Sequence, residues 1–183
     1  MGKLKILQFI ETVLLVLLIV IPIRFFLFEP FFVIGDSMHP TYENYDYLII
    51  EKVSYKVRQP ERGEVIILHP PVNPKIYYIK RIIGLPGETV KIKDGKVSVF
   101  NSQYKDGFII SETKYLRDAY TPGNLTLTLA PQEYFVLGDN RQASYDSRKW
   151  GPVSFPAIEG RVLVRVLPLK SFVEFMNIGF ANR

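Results

Sequence analysis

The sequence has no cysteine and only two histidines, and both scarcities limit the chemistry available to the chain. Without cysteine it can form no disulfide, no thiolate zinc site and no cysteine nucleophile. With only His39 and His69 present, a nucleophilic serine would have few conventional bases. A base of another residue type therefore has to be considered.

The composition narrows the class of protein and of partner. The 183 residues are 48% hydrophobic, which is enough to build the core of one domain. The net charge is +5 and the charged residues are scattered, so they indicate a solvated surface or attraction to anionic lipid. The sequence contains no basic stripe of the kind that would indicate a nucleic acid partner. No spacing of His, Asp or Glu resembles a metal ligand set, and we expect neither a metal nor another cofactor.

The N-terminal part of the sequence contains a long apolar run. It extends from Ile6 to Phe28, and a helix of that length spans roughly 30 Å, the thickness of a bilayer's hydrocarbon core. No small-residue cleavage site follows, which favours an uncleaved membrane anchor over a cleaved secretory signal. A buried helix of a soluble protein is the third alternative. Lys3 and Lys5 precede the run, so the positive-inside rule predicts a cytoplasmic N-terminus.

These features predict an anchor, residues 1–28, followed by a mainly β extracytoplasmic domain, residues 29–183. Short alternating runs separated by Pro, Gly and Asp are typical of strands. Asp94-Gly95 predicts a type I′ hairpin, and the more polar residues from about 94 to 131 predict a small inserted cap. The predicted strands are Tyr47–Val53, Glu64–His69, Ile76–Ile83, Thr89–Ile92, Lys96–Phe100, Leu125–Leu129, Tyr134–Leu137 and Gly160–Val166.

Ser37 is the candidate nucleophile, because it follows the predicted anchor closely and so indicates chemistry on a substrate arriving through the membrane. A serine hydroxyl needs an adjacent base. His39 points elsewhere if the local chain is extended, and His69 precedes two prolines at a strand end, yet both histidines stay open as bases. A lysine is the third alternative, provided that apolar burial lowers its pKa from about 10.4.

Lys80 is the lysine that fits this requirement best. It lies within a predicted apolar strand, where alternation would place it on one face with Tyr78 and Ile82 and would point Arg81 the opposite way. The alternative is an edge-strand lysine whose ammonium stays in water and prevents aggregation. The spacing by itself does not decide between the two.

A third polar segment follows an apolar strand: Gly138-Asp-Asn-Arg-Gln-Ala-Ser144-Tyr-Asp146-Ser-Arg148. It has more hydrogen-bonding and charged groups than a simple turn requires. Taken alone, it is either part of a site or a loop held together by Asp–Arg pairs.

Together the three segments resemble those of the type I signal peptidases, the membrane-anchored Ser–Lys peptidases that remove signal peptides from exported proteins. The resemblance runs in the family's order through Gly-Asp-Ser37-Met-x-Pro, Lys80-Arg81-x-x-Gly-x-Pro-Gly-Glu and the Gly138–Arg148 segment, behind an N-terminal anchor. It implies a β-rich catalytic core, preprotein signal peptides as substrates and a single-pass protein of the cell membrane.

The resemblance also implies roles for individual residues. Ser37 would be the nucleophile and Lys80 the general base, with Ser144 hydrogen-bonded to the lysine amine. Asp146 and Arg148 would support the site structurally as an ion pair, and Arg81 belongs to the same supporting group. Some members have a serine two residues before the nucleophile where this chain has Gly35, and Ala143 stands where many carry asparagine.

The glycine implies an oxyanion hole built from backbone N–H groups, those of Ser37 and Gly35. By the same analogy, Phe31, Val33, Met38 and Ile79 would line shallow pockets for small substrate side chains, although ordinary core packing is an equal alternative. An extended substrate would lie along an exposed strand edge.

Two other functions remain open. One is a specialised or self-cleaving Ser–Lys peptidase, and the other is an inactive, membrane-tethered binding module of the same fold. If neutral Lys80 is the base, activity should increase towards alkaline pH.

Overall fold

The computed structural model describes residues 2–116 and 120–168, and these residues form a mainly β structure, as predicted. All eight predicted strands coincide with observed ones, while three strands were not predicted, namely β1, β7 and β10. The helices are α1 (Lys3–Leu27), α2 (Ser54–Val57) and α3 (Ser147–Trp150). The strands are β1 (Phe28–Phe32), β2 (Asp46–Glu51), β3 (Val65–Leu68), β4 (Tyr78–Gly84), β5 (Thr89–Lys93), β6 (Lys96–Phe100), β7 (Phe108–Ile109), β8 (Leu125–Thr128), β9 (Glu133–Leu137), β10 (Val153–Ser154) and β11 (Ile158–Pro168).

The larger sheet has seven strands in the order β1-β2-β11-β3-β4-β9-β10, and every described pairing within it is antiparallel. β1 was missed because its residues continue the apolar run of α1 and include Pro30, which is tolerated in an edge strand. β1 pairs only with β2 among the described strands, so its other edge is free. Alternating burial along β2 is typical of a strand with one face in the core.

The smaller sheet has four strands in the order β7-β6-β5-β8. Asp94 and Gly95 join β5 to β6 with φ angles of 51° and 75°, the positive values that a type I′ turn needs. The sheet covers much of the predicted inserted cap, but it begins earlier, at Thr89, because β5 pairs with both β6 and β8. An apolar cluster of buried residues joins the two sheets: Ile83, Val90, Ile92, Val97, Val99, Leu129, Phe135 and Leu137.

β4 positions the candidate site, because it lies between β3 and β9 within the larger sheet. Lys80 pairs with Ile66 across the ladder, and Arg81 pairs with Val65 on one side and Leu137 on the other. Successive side chains of a strand point to opposite faces, so these two cations leave β4 on different sides.

The helix α1 exposes its apolar side chains along the stretch from Ile6 to Ile21. Within the residues that the structure describes, no helix combines the length and the apolarity required to cross a membrane. The end of the predicted extracytoplasmic domain, residues 169–183, lies outside the described residues.

Candidate active site

Ser37 lies in a tight turn just beyond β1. The turn is closed by the His39 N–H, which donates to the Asp36 carbonyl at 3.1 Å. Gly35 precedes the turn with a φ of 98°, a left-handed value that favours glycine. The Ser37 side chain is half-buried and faces a cleft.

Lys80 reaches this turn from β4. Its Nζ lies 2.8 Å from Ser37 Oγ and donates to the carbonyl of Ile79 at 2.8 Å. The residue is only 3% exposed, and its Nζ is 5.1 Å from the centre of the Tyr78 ring. The amine therefore contacts two neutral oxygens and an aromatic face, with no carboxylate in direct contact among the described residues.

Burial determines the protonation of this amine. Removal from water lowers the pKa of Lys80 to about 8, against an opposing Coulombic effect of Asp146 and Asp139, which raise it. An appreciable fraction of the amine is therefore neutral near neutral pH, as a base must be.

The loop from Gly138 to Asp146 packs against the turn, but Ser144 does not make the expected contact with Lys80. Its Oγ is buried and has no hydrogen-bond partner among the described residues. Lys80 instead directs its hydrogen bonds to Ser37 and Ile79, as given above. A methyl group on Gly138 would overlap both Ser144 Oγ and the Ser37 carbonyl, so the close packing here requires glycine.

Asp146 and Arg148 form an ion pair at the end of this loop. Arg148 Nε and Nη2 each lie 2.8 Å from a carboxylate oxygen of Asp146, in a bidentate arrangement. Asp146 is fully buried, caps α3 through the Arg148 N–H, and accepts from the Gly138 N–H at 3.1 Å. The pair thus connects the loop to the end of β9.

Arg81 makes a second buried ion pair, on the opposite side of β4 from Lys80. Its Nε and Nη2 donate to Asp139 at 2.9 and 2.6 Å, and its Nη1 donates to the Gly63 carbonyl at 2.7 Å. The guanidinium lies 4.0 Å from the Tyr115 ring centre, and Thr41 Oγ1 donates to Asp139 at 2.5 Å. Arg81 therefore anchors the loop that follows β9.

The backbone donors around Ser37 differ from the predicted oxyanion pair. The Gly35 N–H donates to Asn44 Oδ1 at 2.8 Å, so this donor is already engaged in this structure. The Ser37 N–H has no acceptor among the described residues. The Asn44 side chain folds back from beyond the turn, a contact that no motif encodes.

The cleft at Ser37 and Lys80 has a volume of about 570 Å³ and apolar walls. Three of the four predicted pocket residues, Phe31, Val33 and Ile79, line it. Met38 does not line it, because its side chain is fully buried in the core behind the turn. One wall follows the chain from Phe31 to Ser37 and the other from Ile76 to Lys80, so both walls run towards the candidate pair.

The two histidines lie away from the Ser37 hydroxyl contact. His39 is exposed in the turn, and His69 packs its ring against Tyr77 at 4.5 Å with Nε2 3.6 Å from Glu159. In residues 2–116 and 120–168, no group of three or more potential ligands is arranged to hold a metal.

Sequence reasoning missed Asn44 and Asn140, both of which contact the nucleophile's turn. Asn140 stands inside the third motif, so its position in that motif was a signal; Asn44 carried no signal beyond its turn-forming residue type. The cleft residue Tyr145 was also missed, whereas Tyr78, which lines the cleft too, was predicted as a same-face neighbour of Lys80.

Comparison with known proteins gives four findings. A family model described as signal peptidase, peptidase S26, matches residues 6–167. The probable signal peptidase I-2 of Synechocystis sp. is 38% identical over 164 residues, which cover 87% of this chain and 72% of that protein. The signal peptidase I of Leptolyngbya laminosa is 37% identical over 172 residues, covering 90% of this chain and 81% of that protein. The crystal structure of a signal peptidase I from Enterococcus faecalis V583 aligns with a TM-score of 0.47 at 34% identity, over 59% of this chain and 99% of that chain.

Proposed function

This chain belongs to the signal peptidase family, peptidase S26, and from that premise we propose that Ser37 is the nucleophile and Lys80 the general base with which it removes signal peptides. Membership makes the chain a serine endopeptidase that acts on preproteins carrying signal peptides. The observation that carries the proposed pair is the 2.8 Å contact between Lys80 Nζ and Ser37 Oγ, made by an amine that is 3% exposed.

The surroundings of the amine suit proton transfer. A neutral amine has one lone pair and two N–H groups, and the Ile79 carbonyl accepts one N–H. The lone pair is then available to take the Ser37 proton as Oγ attacks the scissile carbonyl. The resulting lysinium protonates the leaving amine. Water activated by the same amine hydrolyses the acyl-enzyme.

The cleft suits an extended peptide. The free edge of β1 offers unpaired backbone groups, and a peptide running beside it can make hydrogen bonds that do not depend on side chains. The apolar side chains of Val33 and Ile79 then limit the size of the substrate side chains that point into the cleft, which favours small residues near the cut.

Membrane anchoring is a second part of the proposal. Its support is the apolar run from Ile6 to Phe28 and the exposure of the apolar side chains of α1, such as Leu18, which is 74% exposed. With the N-terminus cytoplasmic, Ser37 would lie on the extracytoplasmic face, close to the lipid. The chain contains no cysteine, so single cysteines introduced at Gly2 and at exposed Lys96 would report sidedness through a membrane-impermeant thiol reagent.

The catalytic proposal is tested with a labelled preprotein and the detergent-solubilised full chain. Ser37→Ala and Lys80→Ala should each remove detectable cleavage while the chain stays folded, as a cooperative unfolding transition would report. Ser102→Ala and Lys93→Ala, at exposed positions, are the matched controls and should cleave normally. Cleavage by either site variant would contradict the proposed pair.

The same experiment separates the alternatives. A serine-directed acylating probe that failed to label Ser37 in the wild type would favour a binding module. Cleavage of the chain itself, without cleavage of any preprotein added in trans, would favour a self-cleaving peptidase.

A further inference from the structure

Asn140 contacts both backbone carbonyls on either side of the Ser37 α-carbon. Its Nδ2 donates to the Asp36 carbonyl at 3.1 Å, and its backbone N–H donates to the Ser37 carbonyl at 3.0 Å. Its Oδ1 accepts from the Ala143 N–H at 3.3 Å. Only one orientation of the side-chain amide places a donor towards the carbonyl and an acceptor towards the N–H, so the assignment of Nδ2 and Oδ1 follows from the partners.

The contact with Asp36 has a geometric consequence for the next residue. The Asp36 carbonyl and the Ser37 N–H belong to the same planar trans peptide, in which the two groups point in opposite directions. A donor that holds the carbonyl therefore also sets the direction of the Ser37 N–H.

Two peptide groups of this segment, separated by one other peptide, are held by side chains from outside it. Asn44 Oδ1 holds the Gly35 N–H, and Asn140 Nδ2 holds the Asp36 carbonyl. The Asp36 carbonyl also accepts from the His39 N–H, but that bond is internal to the turn and moves with it. Asn140 is thus the contact that ties this peptide to the loop carrying Ser144 and Asp146.

We propose that Asn140 is a positioning residue that orients the Ser37 N–H towards the carbonyl oxygen of the scissile bond. The proposal rests on the proposed function of Ser37. With the Gly35 N–H occupied by Asn44, the Ser37 N–H is the remaining backbone donor of the predicted pair, so its direction determines how well the oxyanion is stabilised. None of the hydrogen bonds of Asn140 among the described residues goes to Ser37 Oγ or Lys80 Nζ, so it acts through the backbone of the turn.

Asn140→Ala and Asn140→Asp test the proposal together. Both remove the donor to Asp36, whereas aspartate keeps the shape and the acceptor for Ala143; the backbone bond to Ser37 survives in both. We expect kcat to fall roughly 10- to 100-fold in each, with KM little changed, because the contact acts on the transition state. Gln142→Ala, an exposed change in the same loop, is the control and should leave kcat unchanged.

A peptide aldehyde supplies the decisive measurement, because its adduct with a serine carries the oxyanion. Its inhibition constant should rise by the same factor by which kcat/KM falls, while the affinity for a product peptide stays constant. Rates are measured on the alkaline plateau and per active site titrated with the serine-directed probe, so that neither Lys80 protonation nor misfolded protein contributes.

Three outcomes would overturn the proposal. These are full kcat in Asn140→Asp, a loss that appears only in KM, and a loss of kcat without any weakening of aldehyde binding. A failure of the proposed function looks different, since it would show as cleavage by Ser37→Ala. An active wild type with an inactive Ser37→Ala variant and a fully active Asn140→Asp variant would overturn this inference alone.

Discussion

Lys80 and Arg81 are consecutive residues on β4, yet the two sides of this strand have opposite effects on a buried cation. Both side chains are almost inaccessible, at 3% and 8% exposure. Arg81 meets the Asp139 carboxylate directly, whereas the hydrogen bonds of Lys80 go to the neutral oxygens of Ser37 and Ile79. Burial is common to both, so the contacting carboxylate is what distinguishes them.

The pKa values follow from this difference. Burial opposes the charge of Arg81, but hydrogen bonds and Coulombic attraction from Asp139 outweigh it and raise the pKa. For Lys80, burial outweighs the more remote Asp146 and Asp139 and lowers the pKa to about 8. One strand thus places a permanently charged structural residue beside a lysine that can become neutral.

The largest expected effect is a loss of activity when Lys80 is replaced by a cation that stays charged, as Arg81 does. Lys80→Arg keeps a long cationic side chain at the site, but a guanidinium is always protonated and cannot accept the Ser37 proton. We expect preprotein cleavage to fall by about 10²- to 10⁴-fold, the usual contribution of a general base. The measurement is the initial rate of cleavage per folded molecule.

Lys93→Arg, at an exposed position on β5, is the matched control and should cleave at the wild-type rate. Near-normal cleavage by Lys80→Arg would mean that the reaction does not need a neutral side chain at this position. The difference in pKa between Lys80 and Arg81 would then have no role in catalysis.

The second effect concerns stability and acts on the Arg81 side. Asp139→Ala leaves the Arg81 guanidinium buried against Tyr115 without its carboxylate, and we expect a loss of about 3–5 kcal/mol in the free energy of unfolding. Denaturant unfolding of the detergent-solubilised chain measures it. Asp106→Ala, at an exposed carboxylate, should change the free energy by less than about 0.5 kcal/mol.

The double variant Arg81→Met with Asp139→Leu sharpens this result. Removing both charges leaves no unpaired ion, so most of the lost stability should return. A double variant no more stable than Asp139→Ala would show that the cost comes from packing or from Thr41, which also binds Asp139, and not from the uncompensated cation.

The strand β4 and the opposite orientations of Lys80 and Arg81 were predictable from the sequence, because side chains alternate along an apolar strand. The proximity of Ser37 and Lys80 was predictable from the motifs. Contacts made by short polar side chains across long distances in sequence were not. Asn140 reaches Asp36 across 104 positions, and the Asn44 contact that engages Gly35 depends on how the chain returns after the turn. Periodicity carries no information about such contacts.

Two further differences between the predicted and the observed site also arise from the local conformation of the backbone. Met38 was expected to line the cleft by analogy with the family, with core packing as the alternative, and its side chain is buried in the core. Ser144 occupies the motif position expected to bind the lysine, yet its Oγ lies against Gly138 and has no hydrogen-bond partner among the described residues. A motif indicates which residues gather, whereas the backbone conformation decides which atoms meet.

The smallest expected effect is a gain in stability from removing the buried amine. The folded chain holds the Lys80 proton less tightly than the unfolded chain, with a pKa of about 8 against 10.5. Well below pH 8 both states are protonated and the folded state carries the full penalty. Between pH 8 and 10.5 the unfolded state binds more protons, so the wild type gains stability as the pH rises, and above 10.5 the penalty is absent.

Lys80→Met replaces the amine with an apolar chain of similar length, so it should be more stable than the wild type at pH 7, by at most on the order of 3 kcal/mol. That difference should shrink as the pH rises towards 10.5, as measured by denaturant unfolding across the pH range. Lys93→Met is the control, because an exposed lysine carries no burial penalty. A difference that stayed constant with pH would show that burial does not lower the pKa of Lys80, which would then resemble its neighbour Arg81 in staying charged.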